Sequence, residues 1–218
     1  MDDIVRAHST AVIGKNARIA SDVIIEPFVF IADNCTIGAG TRVCSHASVF
    51  NNVVIEENVL VGNGASIREH AVLSSGAKVG TNSVVLPHAK VGKNVTVHAL
   101  CLIGEHTVIE EGAWLGPGVH TYNTIHPKAY RCPEKERCDR EGAPHIGRNA
   151  RIGGGSVISP FVHIGEHAVV GAGSVVIHSV NANDVVVGNP ERVVGRGSNV
   201  ECRYDKSPGV YDHTHLKK

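Results

Sequence analysis

A six-residue repeat of aliphatic side chains restricts the fold of this chain more than any other feature. From Ile13 to Leu115 every sixth residue is Ile, Val or Leu. The positions are Ile13, Ile19, Ile25, Ile31, Ile37, Val43, Val49, Ile55, Val61, Ile67, Leu73, Val79, Val85, Val91, Val97, Ile103, Ile109 and Leu115, and then Ile146, Ile152, Ile158, Ile164, Val170 and Val176. A helix needs apolar spacing near 3.6 residues and an ordinary strand needs a period of two, so neither explains a period of six.

Each hexad is predicted to form a short strand followed by a turn. A small or β-branched residue stands four places after each aliphatic position, as Ala17 and Val23 do, and the residue before it is usually Asn, Gly, Asp or His. These types tolerate a left-handed or tightly turned backbone. Three hexads then form one triangular coil, and stacked coils pair as parallel strands about 4.8 Å apart. We therefore predict an all-β parallel β-helix of about eight 18-residue coils, roughly 38 Å long.

The repeat fails in one long internal segment, from about residue 120 to 145. This segment is rich in charged and polar residues, so we expect it to leave the prism as an excursion loop, where function is often found. Residues 1–195 are predicted to form one β-helix domain that carries this loop. Residues 196–218 are polar and poor in aliphatic side chains, and we predict a C-terminal tail there.

Composition narrows the classes of partner. The 218 residues include 21 Lys and Arg against 21 Asp and Glu, so no basic excess favours a nucleic acid or a membrane. The first eleven residues contain no apolar run of the kind found in export signals, and we expect a cytoplasmic protein. Six cysteines at irregular spacing are too sparse for a disulfide scaffold, which favours reduced thiols.

Three motifs together resemble the left-handed β-helix acyltransferases. They are the hexads, the excursion with Gly116-Pro117-Gly118-Val119 before it and His126-Pro127 in it, and the closing GAGSVV and VVVGNPERVVG. The pattern is nearest to the galactoside, maltose and serine acetyltransferase branch, whereas the early entry into the repeat resembles nucleotide-sugar N-acetyltransferases. The resemblance implies transfer of an acetyl group from acetyl-CoA to a hydroxyl or amine of a small polar acceptor, a sugar or nucleotide-linked sugar.

His126 is the candidate general base, as the resemblance implies. Pro127 restricts its backbone to extended conformations, and an imidazole titrates near neutral pH. Asp139 and Glu141 could orient its second ring nitrogen. The candidates for acceptor binding are His98, Trp114, His120 and Asn123. A flat-faced prism with a projecting loop can form its clefts only against a neighbour, so we expect a homotrimer.

The resemblance places the cofactor along a groove against the C-terminal coils. The candidates for binding it are Gly153, Gly154, Ser156, Gly171, Ala172, Ser174 and Arg192. The first six lack bulk and would permit close approach of the pantetheine, although turn geometry explains the glycines equally well. Arg192 matches a basic residue that often meets the phosphates of CoA, and Arg196 could assist it.

No metal is expected. His70, His88 and His106 are spaced by 18 and continue a column of turn residues that begins with Asn16, Asn34 and Asn52. Cys132 and Cys138 lie too far apart for a typical zinc knuckle, which leaves a disulfide, two free thiols or a structural metal open. The alternative functions are a metal enzyme like the γ-class carbonic anhydrases and a non-catalytic assembly subunit. A long polar loop with His-Pro favours catalysis over the assembly role.

Overall fold

The three-sided parallel β-helix predicted from the hexads is confirmed in the computed structural model, which describes residues 6–126, 134–201 and 203–204. Its strands form three sheets, here called faces A, B and C. Residues that are 18 apart pair in parallel register on one face, as Leu60 pairs with Lys78 and Val61 with Val79. Stacking of the coils, and not contact between chain neighbours, therefore supplies the hydrogen bonds of the parallel strands.

Most strands are two residues long. Face A contains Arg6–Ala7, Ile24–Ile25, Arg42–Val43, Leu60–Val61, Lys78–Val79, Thr96–Val97, Trp114–Leu115, Arg151–Ile152, Val169–Val170, Asp184–Val187 and Arg192–Arg196. Face B contains Val12–Ile13, Phe30–Ile31, Ser48–Val49, Ser66–Ile67, Val84–Val85, Leu102–Ile103, His120–Thr121, Val157–Ile158 and Val175–Val176. Face C contains Arg18–Ile19, Thr36–Ile37, Val54–Ile55, Val72–Leu73, Lys90–Val91, Val108–Ile109, His145–Ile146 and His163–Ile164.

The repeated aliphatic residues fill the interior of the prism. In each hexad the aliphatic residue and the small residue two places before it point inward, as Val53 and Ile55 do, while Val54 between them is exposed. Ile25, Leu73 and Leu115 are among the largest fully buried side chains. Alternation within each short strand thus gives one continuous apolar core along the prism.

The corners of the prism use a left-handed backbone, as the turn residues predicted. The corner between faces A and B, here called the AB edge, has positive φ at positions that include Phe28, Leu100, Gly118, Gly155 and Gly173. The BC edge has it at positions that include His70, His88, His106 and Phe161, and the CA edge at positions that include Asn58, Asn94 and Asn149. The three histidine rings stack with centroids 4.9 and 4.8 Å apart, so the predicted column on one edge is confirmed.

The β-helix has about ten turns, two more than predicted. Arg6–Ala7 pairs with Ile24–Ile25 and adds a rung before Ile13, but Ala7 is not a large aliphatic residue. At the other end Val186 pairs with Val170, 16 residues earlier, so a strict step of six or 18 misses the last rung. The count was low because both end coils depart from the consensus hexad and because Thr121, which pairs with Ile158 on face B, is not aliphatic.

The excursion occupies residues 122–144, since His120–Thr121 and His145–Ile146 are strands of the prism. In the described part of it lies the helix α1 (Lys135–Glu141), which the sequence did not predict. Leu115 pairs with Ile152 on face A, so the prism resumes in the same register after the excursion. The last coil closes with Arg192–Arg196, antiparallel to Asp184–Val187, and a 3-10 turn at Gly197–Asn199 follows.

In residues 6–126, 134–201 and 203–204, no helix is long and apolar enough to cross a lipid bilayer.

Because the coils stack closely, replacing a glycine by alanine should destabilise the protein at some positions and not at others. A Cβ at Gly80 would lie 2.4 Å from the carbonyl carbon of His98, whereas one at Gly195 would meet nothing within 4 Å. We expect Gly80→Ala to lower the free energy of unfolding by about 1–3 kcal/mol, because backbone cannot move aside as a side chain can. Gly195→Ala, the control, should change it by less than about 0.5 kcal/mol. Denaturant titration followed by circular dichroism measures both, and equal effects would contradict the close-approach argument.

Candidate functional site

A groove of about 420 Å³ runs along face A to the AB edge in the C-terminal coils. Its lining residues are Trp114, Arg151, Gly153, Val169, Val170, Gly171 and Ala172. Trp114 is half-buried and faces outward because Leu115, its neighbour in the same short strand, points into the core. The groove therefore has one aromatic wall, an aliphatic floor and an edge without bulky side chains.

His98 joins this groove through its contact with Trp114. The two rings meet edge to face, with centroids 5.0 Å apart and an angle of 67° between their planes. His98 lies in the turn after Thr96–Val97, one coil before Trp114, and is partly exposed. The structure thus brings two of the predicted acceptor-binding residues together with three of the predicted cofactor-binding residues.

The small residues of the groove have two different physical roles. A Cβ at Gly153 would lie 2.3 Å from the Ala172 nitrogen, and one at Gly154 would lie 2.9 Å from the Pro117 oxygen, so stacking of the coils requires glycine there. At Gly155 and Gly173 a Cβ would meet nothing within 4 Å, and both have φ of +70°. The left-handed turn suits glycine, although other corners of the prism place Asn or His in it, and without a side chain the backbone at this corner is left uncovered.

Ser156 and Ser174 lie in the interior and not in the groove. Both are fully buried, and each hydroxyl donates a hydrogen bond to the carbonyl of Gly171, at 3.0 and 2.7 Å. They occupy the inward small-residue position of their hexads. Their side chains therefore brace the coil and do not line the groove, whereas Gly153, Gly171 and Ala172 do.

Arg192 is exposed at the start of the last strand, opposite Val187. The adjacent Glu191, whose side chain is 7% exposed, accepts hydrogen bonds from the amides of Ile177 and His178 and pairs with the His178 ring. Burial would raise the pKa of Glu191, but these hydrogen bonds lower it. Arg196 is held by Asp184 at 3.0 Å. The turn is thus fixed by Glu191, and Arg192 rather than Arg196 is available to an anion.

His126 lies on the other side of face B. It is exposed in the excursion, which leaves the prism at the BC edge, and Pro127 lies outside the described residues. Asn123 is buried, and its amide donates to the backbone carbonyl of Asp139 at 3.1 Å, which ties the start of the excursion to α1. Glu141 accepts a hydrogen bond from Arg137 at 2.8 Å. Orientation of His126 by Asp139 or Glu141 stays a prediction.

A second cavity, of about 340 Å³, lies between α1 and the histidine column. Glu105, His106, Glu136, Asp139 and Arg140 line it. Burial lowers the pKa of His106, and the nearby charge of Arg140 acts in the same direction. This cavity is polar and charged, in contrast to the groove on face A.

His120 is placed on face B, between the two edges. Its Nδ1 lies 3.1 Å from the hydroxyl of Tyr122, which is 41% exposed. The predicted site residues therefore divide into three groups: the groove with His98 and Trp114, His120 on face B, and the excursion with Asn123 and His126. Groove and excursion are separated by one side of the prism, a hexad of at most roughly 20 Å at about 3.3 Å per residue.

Two groups beside these residues were not anticipated from the sequence. Arg151 lines the groove, where its Nη1 donates to the carbonyls of Gly112 and Asn149 at 2.7 and 3.0 Å. On face C, His145 Nε2 and Glu110 Oε1 are 2.9 Å apart. The outward place of both Arg151 and His145 in the hexad was readable, but Gly112 and Glu110 come from another coil, which only the stacking reveals.

Metal-ligating residues do not converge in the part of the chain that is described. There, no three His, Cys, Asp or Glu side chains form a group that could hold a metal ion. Cys138 is half-buried in α1, and Cys132 lies outside the described residues, so their pairing stays open. Cys35 and Cys101 are core residues, as their inward position predicted.

Two hexapeptide-repeat family models match this chain. The one described as bacterial transferase hexapeptide (six repeats) matches residues 10–45 and 143–178, and the hexapeptide repeat of succinyl-transferase matches residues 52–86. The chain is also similar to the acyl-[acyl-carrier-protein]–UDP-N-acetylglucosamine O-acyltransferase of Thermodesulfovibrio yellowstonii, with 39% identity over 51 residues. That match covers 23% of this chain and spans a fifth of the relative's length.

Solved structures share the fold at low identity. The UDP-N-acetylglucosamine acyltransferase from Campylobacter jejuni superposes with a TM-score of 0.75 and 17% identity, over 86% of this chain and 73% of that one. The UDP-N-acetylglucosamine O-acyltransferase from Moraxella catarrhalis gives 0.62 and 22%, over 88% and 75%. The polySia specific acetyltransferase NeuO gives 0.62 and 16%, over 92% and 86%. The chain is a left-handed parallel β-helix of hexapeptide repeats, and its resemblance to the left-handed β-helix acyltransferases is confirmed.

Proposed function

We propose that this protein is an acetyl-CoA-dependent acetyltransferase that acts on a hydroxyl or amine of a sugar or nucleotide-linked sugar. The observation that carries the proposal is the uncovered backbone of the AB edge at Gly155 and Gly173, directly beside the groove of Trp114. Acetyl-CoA presents its thioester at the end of a long, thin pantetheine arm. Such an arm can lie close to the backbone only where no side chain stands in the way, and this contact would orient the thioester. The similar proteins named above, UDP-N-acetylglucosamine acyltransferases and a polySia specific acetyltransferase, support the same reaction class.

The reaction needs one proton acceptor and one oriented thioester. His126 removes the proton from the acceptor hydroxyl or amine as the oxygen or nitrogen attacks the thioester carbonyl. Backbone amides of the groove stabilise the oxyanion that forms. When this intermediate collapses, the C–S bond breaks, and His126 returns the proton to the departing thiolate. Both substrates meet in one cleft, so no acyl group on the protein is needed.

Other residues hold the two substrates. Arg192 pairs with the phosphates of CoA from the turn that Glu191 fixes, and Ala172 and Gly171 admit the pantetheine. His98 and Trp114 bind the acceptor at the other wall of the groove, where an aromatic ring can cover the apolar face of a sugar. His120 and Asn123 bind it from the side of the excursion.

The acyl donor and the assembly complete the proposal. We propose acetyl-CoA as the donor; an acyl-[acyl-carrier-protein], the donor in the name of the Thermodesulfovibrio relative, is the alternative to be assayed beside it. We also propose a homotrimer, because His126 and the groove lie on opposite edges of face B and one chain does not bring them together. A neighbouring copy then supplies the missing half of each site.

His126→Ala should lower kcat by about 10²–10⁴-fold while binding of acetyl-CoA persists, because a general base contributes that much and the groove is untouched. Release of free thiol from acetyl-CoA, screened over amino and hydroxyl sugars, measures the rate. His163→Ala, an exposed histidine on face C, is the matched control. Loss in His120→Ala but none in His126→Ala would assign the base to His120 instead.

Arg192→Ala should weaken acetyl-CoA binding by about ten- to a hundredfold, since charge-assisted hydrogen bonds to phosphate are worth about 1.5–3 kcal/mol. Titration calorimetry with CoA and with dephospho-CoA makes the test specific. The parent should prefer CoA, and the variant should bind both equally if the contact is to the 3′-phosphate. Arg18→Ala, on face C, is the control; equal discrimination by parent and Arg192→Ala would show that the phosphate site lies elsewhere.

The assembly predicts a mass of three chains in solution. At micromolar concentration, light scattering should give about three times the 23.0 kDa of one chain. A stable monomer with full transferase activity would contradict the shared site, because each chain would then have to complete its own.

A further inference from the structure

We infer that Arg151 selects an acidic sugar as the acceptor, one that carries a carboxylate or phosphate group on the sugar itself. The inference rests on the proposed function for the use of the groove as an acceptor site, and it deepens that function by naming the class of acceptor. It is carried by the position of the guanidinium in the groove, by the hydrogen bonds that fix its orientation, and by the indole ring beside it.

Arg151 brings a positive charge into a groove whose other lining residues, in the described part of the chain, are uncharged. Those residues are Trp114, Gly153, Val169, Val170, Gly171 and Ala172. The guanidinium of Arg151 is protonated at any pH at which the protein works, and the side chain is half-buried, so solvent screens its charge less than on an open surface. The groove therefore favours a ligand that is apolar over part of its surface and negative at one point.

Backbone carbonyls hold this guanidinium in one orientation. Its Nη1 donates to the carbonyls of Gly112, Asn149 and Ala150 at 2.7, 3.0 and 3.2 Å. These acceptors are neutral, so the three hydrogen bonds orient the group without neutralising its charge. Because a guanidinium carries several N–H donors in a planar fork, it can keep its hold on the turn and still receive the oxygens of a carboxylate or phosphate.

The indole ring of Trp114 stands next to this charge. Trp114 pairs with Arg151 in parallel register on face A, and Val169 pairs with Arg151 on the other side. Outward side chains of paired strands start about 4.8 Å apart, a spacing close to the width of one sugar ring. A sugar that covers the indole with its apolar face therefore places a carboxylate or phosphate substituent at the guanidinium.

The order of residues along face A assigns this anion to the acceptor and not to the cofactor. His98 contacts Trp114 from the coil before it, and Arg151 follows Trp114 in the next coil. Arg192, proposed above to meet the phosphates of CoA, lies three strands beyond Arg151 in the order of the sheet. The anion at Arg151 thus belongs to the molecule that lies on Trp114.

The first test measures binding directly. Trp114 is the only tryptophan of the chain, so its fluorescence reports a ligand in the groove whether or not a reaction follows. Galacturonate is compared with its methyl ester, which removes the charge with little change of shape, and N-acetylglucosamine 6-phosphate is compared with N-acetylglucosamine. We expect the acidic member to bind about ten- to a hundredfold more tightly, and a preference in one pair only identifies that group as the anion. Equal affinities within both pairs, or no response to either acidic sugar at about 50 mM, would overturn the inference.

The second test removes the charge. Arg151→Gln should abolish the preference and leave the affinity for the neutral sugars nearly unchanged, while Arg151→Lys, which keeps the charge but not the planar fork, should retain part of it. Arg148→Gln, at an exposed arginine in the same coil, is the matched control and should bind like the parent.

Thermal unfolding of each variant is recorded as well, because the side chain also braces the turn at Gly112. A purely structural role of Arg151 would weaken acidic and neutral sugars alike, and that result counts against the inference. If Arg151→Gln does not fold, an undiminished preference in Arg151→Lys counts against it in the same way.

Turnover and cofactor binding keep this inference apart from the proposed function. Thiol release from acetyl-CoA is measured with the same sugars. Binding of an acidic sugar without thiol release would support the inference and contradict only the proposed function, whereas equal kcat/KM for acidic and neutral sugars would contradict only the inference. CoA should bind Arg151→Gln as it binds the parent. Weaker CoA binding with the sugar preference retained would assign Arg151 to the cofactor, and a preference confined to UDP-N-acetylglucosamine would assign the anion to the nucleotide; either result overturns the inference.

Discussion

Parallel stacking of coils in one register is the constraint on which the rest of this molecule depends. Each strand is too short to form a stable hairpin or to pack alone, so its hydrogen bonds come from the coils before and after it. That requirement fixes the inward aliphatic residue, the small residue two places before it and the left-handed corner. It also fixes glycines such as Gly80, whose Cβ would meet the backbone of the next coil.

The same constraint explains why the candidate site lies where it does. The backbone N–H and C=O groups of the faces are used in hydrogen bonds between coils. A ligand can therefore approach the backbone only at a corner without side chains. Gly155 and Gly173 provide that corner beside Trp114. The excursion is tolerated because Leu115 still pairs with Ile152 across it. The long loop therefore leaves the strand register of the prism unchanged. Rigid coils thus hold the groove while a segment outside the repeat presents His126.

The groove, the cavity under α1 and face B differ in polarity and charge. The groove on face A is mostly apolar, whereas the cavity under α1 is lined by His106, Glu105 and Arg140. Face B between them is uncharged. A single copy therefore separates the groove proposed for the thioester from His126, the proposed base, and the proposed trimer would bring both to one acceptor.

The sequence by itself determined the fold, the inward residues and the corners, because a period of six is a local signal that repeats in every hexad. It also identified Trp114 as outward and the excursion as external. Only the tertiary structure decided what depends on neighbouring coils: the burial of Ser156 and Ser174, the partners of Arg151 and His145, and the helix in the excursion. The number of turns was underestimated because Ala7 and Thr121 keep the spacing without being large aliphatic residues, while Val186 departs from the spacing. Contacts between residues 18 or more apart cannot be predicted from the pattern of a single hexad. The grouping of the site residues therefore became clear only from the three-dimensional structure.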